Sequence, residues 1–354
     1  MNELMQREMR AQRPDLAAAL PDLRRQAAAL PRLTTDRIVL TGSGDSWYAA
    51  WSLELAFSTA LGCPVWAMPS AAAARYGWGR VDGLTVVISV SGEVRRTIEA
   101  AMSAHRLGGT VVAVTAGADS TLAREADAVL LMPQPITRAT PHTRDYTMTL
   151  LALLALLEVL SGQQLSELDS WPAALDEILE RSGAWADGLA QRLATVDAPV
   201  WFLGMGPDRG TAAYGALKFW EAGGSAAWSD DLEEFGHGSQ LAARPGELAL
   251  LFGCGPAHGR AREMADGIRR MGLLPQLISD VGADTDDTLL VPEIQLALTP
   301  LYTSIPPQAL AYAFATHRGI DVEQSLGGDP LGEVYDAVHR SWMRDSELRP
   351  IDRE

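Results

Sequence analysis

The strongest constraint on the fold is a repeated unit: a short aliphatic run, a turn of glycine and hydroxyl residues, then a helical stretch. Arg37-Ile38-Val39-Leu40 runs into Thr41-Gly42-Ser43-Gly44-Asp45-Ser46, and helical periodicity follows over about 47–61. Leu84–Ile88 ends in Ser89-Val90-Ser91-Gly92-Glu93, with a helix expected from about 95 to 107. Further strands are expected at 110–115 and 128–132. Short apolar strands that alternate with helical stretches are the pattern of βα units and an α/β chain. The same order returns at 199–203, 204–210 and 211–223, and again at 247–252, 253–259 and 260–271. Strands at 274–279 and 293–298 complete the second series, so the halves 37–160 and 199–300 read as an internal duplication. Ahead of them, Leu4, Met5, Met9, Leu16, Leu20 and Leu23 keep helical spacing, in segments expected to break at Pro14 and Pro21.

The turns carry a chemical expectation. A strand that ends in small, hydroxyl-bearing residues before a helix start presents N–H and O–H donors to an anion. Two such turns on neighbouring βα units can converge on one phosphate, since ligands bind outside the carboxyl ends of parallel strands. Taken singly, each turn is equally an ordinary serine helix cap. The first turn reads GxGxxW and lacks the third glycine of a dinucleotide fingerprint, so no nucleotide cofactor is expected. A polar loop over 138–147 feeds the Leu-rich stretch 148–160 and is placed to close over the same pocket.

In the second half one stretch stands out, Gly215-Ala216-Leu217-Lys218-Phe219-Trp220-Glu221. Lys218 is the only lysine in the chain, and Glu221 lies three positions on, on the same helical face. The plain alternative is a surface ion pair of little energetic weight. Gly236-His237-Gly238 follows sixteen residues after Glu221. The neighbouring acids Asp230, Asp231, Glu233 and Glu234 read as a solvated loop rather than a metal site. Trp47, Trp51, Trp220 and Trp228 are expected to pack or to line the pocket.

Composition narrows the partners. The 354 residues carry a formal charge of -16, which argues against nucleic acid and anionic membranes while leaving room for a small anion in a locally positive pocket. Cys63 and Cys254 are far apart and form neither a zinc spacing nor a disulfide framework, so a reducing cytoplasm is expected, with no metal. The first residues are too charged for a signal peptide. Met148–Leu157 is apolar but short, and Glu158 interrupts it, which fits a buried helix better than a membrane span.

Six motifs, in their order and spacing, resemble the sugar isomerase (SIS) domain family: GSGDS (42–46), SVSGE (89–93), HTRDYT (142–147), GALKFWE (215–221), EFGHG (234–238) and GIDVEQ (319–324). The chain looks like the tandem-SIS isomerase half of glutamine–fructose-6-phosphate aminotransferases and like their fructosamine-6-phosphate deglycase relatives. The resemblance implies two doubly wound parallel-sheet, three-layer αβα sandwiches. Residues 36–165 and 198–302 would form the two SIS domains, with helical segments at 1–35, 166–197 and 303–354. It also implies a homodimer with shared active sites. Ser43, Gly44, Asp45, Ser46, Ser89, Ser91, Gly92 and Thr143 fall on the sugar-phosphate-binding positions. Glu221 falls on the proton-transfer base, Lys218 on the lysine beside it, and His237 on a ring-opening histidine supplied by the partner copy.

The chemistry suits those residues. Aldose–ketose isomerisation needs a carboxylate that takes a proton from the carbon beside a carbonyl and returns it to the next carbon. A cation beside it offsets developing enediolate charge, and histidine suits ring opening near neutral pH. Three departures from the family pattern are expected to matter. The chain starts at Met1-Asn2 without a glutaminase half, so no ammonia source of its own is expected. The carboxyl-terminal lysine of the aminotransferases is missing, residues 327–331 reading GGDPL. Val94 stands where the family has a phosphate-binding threonine, with Arg95 or Arg96 as the only nearby substitutes. The sequence thus favours an isomerase or deglycase acting at C1/C2 of a sugar phosphate. The alternatives are a non-catalytic sugar-phosphate sensor and an ammonia-dependent aminotransferase.

Overall fold

The computed structural model describes residues 2–31, 36–76, 83–136, 141–194, 198–223, 226–282, 285–324, 328–345 and 347. Residues 137–140, where the polar loop over 138–147 was expected to begin, and residues 325–327 lie outside that set. Contacts divide the chain into two compact units. One comprises Pro14–Arg138, Arg144–Leu165 and Glu333–Glu354; the other comprises Met1–Arg13, Ala139–Thr143 and Ser166–Gly332.

The amino-terminal helix α1 (Glu3–Ala28) runs unbroken through Pro14 and Pro21, where two breaks were expected. Each proline removes one backbone hydrogen bond and costs about 3 kcal/mol in a helix interior. The buried stripe of Met5, Met9, Leu16, Leu20, Leu23 and Ala27 offsets that loss. The boundary between the two compact units falls at Pro14.

The first unit is built on β1 (Ile38–Gly42), β2 (Val65–Pro69), β3 (Leu84–Ile88), β4 (Thr110–Thr115) and β5 (Ala128–Leu131). All pairs are parallel, in the order β2-β1-β3-β4-β5. β1 and β3 are buried at every position, which explains their continuous aliphatic runs. α2 (Asp45–Leu61) follows β1, α3 (Ser70–Tyr76) follows β2, and α4 (Arg95–Arg106) follows β3. Ile98 and Ala101 of α4 pack with Val87, Val111 and Leu122, the last from the short α5 (Thr121–Glu125). α6 (Arg144–Ser161) is buried along most of its length. No described helix is long and apolar enough to cross a membrane.

The second unit holds α7 (Pro172–Leu193), β6 (Val200–Gly204), α8 (Asp208–Gly223), β7 (Ala227–Asp231), β8 (Leu248–Gly253), α9 (His258–Arg270), β9 (Leu274–Ser279) and β10 (Thr288–Leu290). Its parallel order, β7-β6-β8-β9-β10, repeats that of the first sheet strand for strand. α10 (Thr299–Thr303) and α11 (Ile305–His317) follow, and α11 packs on α7 inside this unit. α12 (Gly332–Arg340) ends the regular helices.

Three strands differ from the sequence reading. The last strand is Thr288–Leu290, not 293–298; Pro292 has no N–H to give a ladder, and Leu296–Leu298 is a 3-10 turn. β2 and β7 were not expected at all. Both are edge strands, and Ala227-Trp228-Ser229-Asp230-Asp231 carries the polar residues of an exposed edge rather than an aliphatic run.

Candidate active site

In the first unit, β1 and β3 are neighbours whose onward connections leave in opposite directions, to β2 on one side and β4 on the other. That is the switch point of a doubly wound sheet, where a crevice opens at the carboxyl ends of the strands. The two hydroxyl-rich turns lie at these two strand ends. Gly44 takes φ 54° and caps α2, whose first turn is Asp45 to Tyr48; the Trp47 and Tyr48 N–H groups return to the Gly44 carbonyl at 3.0 Å. Ser89 Oγ accepts the Gly92 N–H at 3.1 Å, and Ser91 Oγ accepts the Glu93 N–H at 3.3 Å.

Gly92 is required twice over. Its φ is +67°, and a Cβ there would lie 2.1 Å from Ser120 Oγ. Gly92→Ala is expected to displace the turn and lower stability by about 1–3 kcal/mol, measured by urea unfolding.

The structure adds two hydroxyls that the sequence reading did not single out. Ser70, the first residue of α3 just beyond β2, has its Oγ 2.5 Å from Ser43 Oγ and 3.1 Å from Thr97 Oγ1. Thr97 sits in the first turn of α4, three residues after Val94, which is the residue flanking that helix start. Its signal in the sequence was its place one helical turn beyond the hydroxyl-poor Val94. Arg95 and Arg96 do not fill the gap in the way considered above. Arg95 Nε donates to the Arg344 carbonyl at 2.8 Å. Arg96 donates to Glu99 at 2.7 Å and to the Glu347 carbonyl at 2.9 Å. Glu93 is also engaged, accepting both the N–H and the O–H of Thr121 at 2.8 Å.

In the second unit, Tyr214, Lys218 and Glu221 form one stripe along α8. The helix approaches β6 closely because Gly215 faces Phe202; a Cβ there would meet the ring at 2.6 Å. Lys218 is fully buried, and its Nζ lies 2.5 Å from Glu221 Oε2. The Glu221 side chain is 22% exposed, so the carboxylate reaches a surface that the ammonium does not. The Tyr214 ring lies under the ammonium, 5.0 Å from Nζ, and its O–H donates to the His142 carbonyl at 3.2 Å. Thr143, next in the chain, is buried.

His237 ends the 3-10 turn Glu234–His237 with its side chain 67% exposed, and approaches Glu233 at 3.7 Å. Arg260 grips Glu233 with two hydrogen bonds, at 2.6 and 3.0 Å, and holds its carboxyl below the usual range. The remaining acids of this loop serve local turns: Asp231 accepts the Glu233 N–H at 2.9 Å, and Asp230 accepts the Asp231 N–H at 2.8 Å and the Ser239 hydroxyl. Among the described residues, no group of three or more His, Cys, Asp or Glu is placed to hold a metal.

The second unit's own switch point is furnished differently. After β8, the Gly255 N–H meets both oxygens of Asp280, at 3.1 and 2.9 Å. After β6, Asp208 is buried and accepts the Thr303 hydroxyl at 2.6 Å; burial, with Asp280 nearby, pushes its carboxyl up to about 6.

Residues 34–159 match the SIS domain. The chain is 29% identical over 326 residues to the glutamine–fructose-6-phosphate aminotransferase of Pyrobaculum aerophilum, covering 87% of this chain and 53% of that enzyme. It spans about half the length of the curated relatives it matches. Among solved structures, the glucosamine-6-phosphate deaminase of Thermotoga maritima aligns with a TM-score of 0.78 at 20% identity, over 90% of this chain and 96% of that one. The tagatose-6-phosphate ketose/aldose isomerase of Escherichia coli aligns at 0.77 and 19% identity, over 90% and 94%. The chain therefore carries a SIS domain at residues 34–159 and shares its fold, over most of its length, with phosphosugar isomerases and deaminases.

Proposed function

We propose that the protein is a cytoplasmic phosphosugar-processing enzyme acting at C1 and C2 of a phosphorylated ketose or amino sugar, as an aldose–ketose isomerase or a deglycase. The observation that carries this reading is the Lys218–Glu221 pair: a partly exposed carboxylate fixed by a buried ammonium at 2.5 Å. A structural surface pair would leave the lysine in water, since ammonium groups are almost never fully buried without a reason to be.

On this reading the phosphate is held by Ser46, Ser89 and Ser91 with the amides around Gly44 and Gly92, and the hydroxyls of Ser43, Ser70 and Thr97 extend the same donor network. Asp45 is a poor neighbour for phosphate oxygens and suits a sugar hydroxyl or amine. Thr143 binds the sugar. Glu221 takes the proton from the carbon beside the open-chain carbonyl, leaving an enediol or enediolate, and returns it to the adjacent carbon. Lys218 orients the carboxylate and sets a positive charge beside the reacting atoms. The exposed His237 of a second copy opens the sugar ring, so the active form is a homodimer with shared sites.

The test is proton exchange. Incubated in deuterated water with fructose 6-phosphate or a fructosamine 6-phosphate, the wild-type protein is expected to place deuterium at C1 or C2. No exchange and no product with either compound would overturn the reading; binding that raises the melting temperature without exchange would identify a sensor instead.

A further inference from the structure

Tyr214, Lys218 and Glu221 are spaced i, i+4 and i+7 on α8 and therefore share one face. Tyr214 is fully buried, and its two ends do different things. The hydroxyl donates to the His142 carbonyl at 3.2 Å, the backbone position just before Thr143. The ring lies 5.0 Å from Lys218 Nζ, in the geometry of a cation–π contact. One side chain thus fastens the 141–143 segment to the helix that bears the proposed base, and also forms part of the wall around the ammonium.

We infer that Tyr214 is a positioning residue that couples the substrate-binding segment around Thr143 to the Lys218–Glu221 pair, the hydroxyl serving binding and the ring serving proton transfer. The inference rests on the proposed function, and its chemistry is separable. Tyr214→Phe removes only the tie to His142. Tyr214→Leu also removes the aromatic face, so the buried ammonium loses a favourable neighbour and gains a path to water.

Lys218 supplies an unusually clean reporter, because no other lysine exists in the chain. Acylation of a lysine side chain by an amine reagent can therefore occur at one place, read by peptide mass. In Tyr214→Phe, amide exchange at His142 and Thr143 is expected to quicken about five- to tenfold. KM for fructose 6-phosphate should rise by a similar factor with kcat within about twofold, and Lys218 should stay as protected as in wild type. In Tyr214→Leu, Lys218 acylation is expected to quicken at least about tenfold and kcat to fall as well. Unchanged exchange at 142–143 in Tyr214→Phe, or unchanged Lys218 protection in Tyr214→Leu, overturns the inference. If wild type turns over no sugar phosphate, the proposed function fails, while the exchange and acylation measurements still decide the role of Tyr214.

Discussion

Glu221→Gln is expected to lower kcat for deuterium exchange and for turnover by about two to four orders of magnitude, the usual weight of a positioned general base. KM should change by no more than about threefold, because the amide keeps the size and shape of the carboxylate and can still accept from Lys218 at Oε1. The fold should survive, since the side chain is 22% exposed, although Lys218 keeps a buried charge with a weaker acceptor. A modest fall in melting temperature is therefore expected alongside the loss of rate. Steady-state kinetics on both proteins, with thermal unfolding as the control, checks this. If Glu221→Gln retains more than about a tenth of the wild-type rate, the proton is carried by another group.

Asp208→Asn is expected to stabilise the protein near neutral pH. The Asp208 carboxyl is displaced from the ordinary 3.8 up to about 6 in the folded chain. That displacement corresponds to about 3 kcal/mol. The sign follows from which state holds the proton more tightly. Between about pH 4 and 6 the folded chain keeps the Asp208 proton while the unfolded chain releases it. This group therefore contributes stability as pH falls from 7 towards 4, and subtracts about 3 kcal/mol above its folded value. Its neighbour Asp280 adds to the penalty. Asparagine removes the charge while its Oδ1 can still accept the Thr303 hydroxyl, so unfolding by urea at pH 7.5 should require more denaturant than in wild type. The difference should shrink at pH 5. Equal shifts at both pH values, or a loss at pH 7.5, would show that the carboxylate is held by compensating contacts.

Much of the α/β layout was readable because parallel strands buried on both faces are written as unbroken aliphatic runs. β1, β3, β4 and β6 are of this kind, and the turns after β1 and β3 use local chemistry that needs no tertiary information. β2 and β7 were hidden for the opposite reason: at a sheet edge, pairing on one side suffices and the sequence is free to be polar or to end in Pro69. α1 defeats the proline rule because its buried stripe outweighs two missing hydrogen bonds, a tertiary effect that no local rule contains. Within the candidate site, Lys218 and Glu221 were legible from helical spacing, and so in principle was Tyr214, one turn earlier on the same face. Ser70 was not, because only the folded sheet brings it within hydrogen-bond distance of both Ser43 and Thr97. The role proposed for His237 lies in a second copy, and so it cannot be read from one chain's geometry.

The two sheets repeat one strand order, yet the carboxylate of Asp280 already occupies the amide of Gly255 in the later copy, with Asp208 buried beside the neighbouring turn. A guest bearing negative charge would meet acids there instead of donors. The shared strand order is thus furnished differently in the two sheets: hydroxyls and amides line the earlier turns, and a carboxylate engages the backbone of the later one. On the proposed function, calorimetry is expected to find one equivalent of sugar phosphate per polypeptide, although the chain offers two crevices of the same strand order.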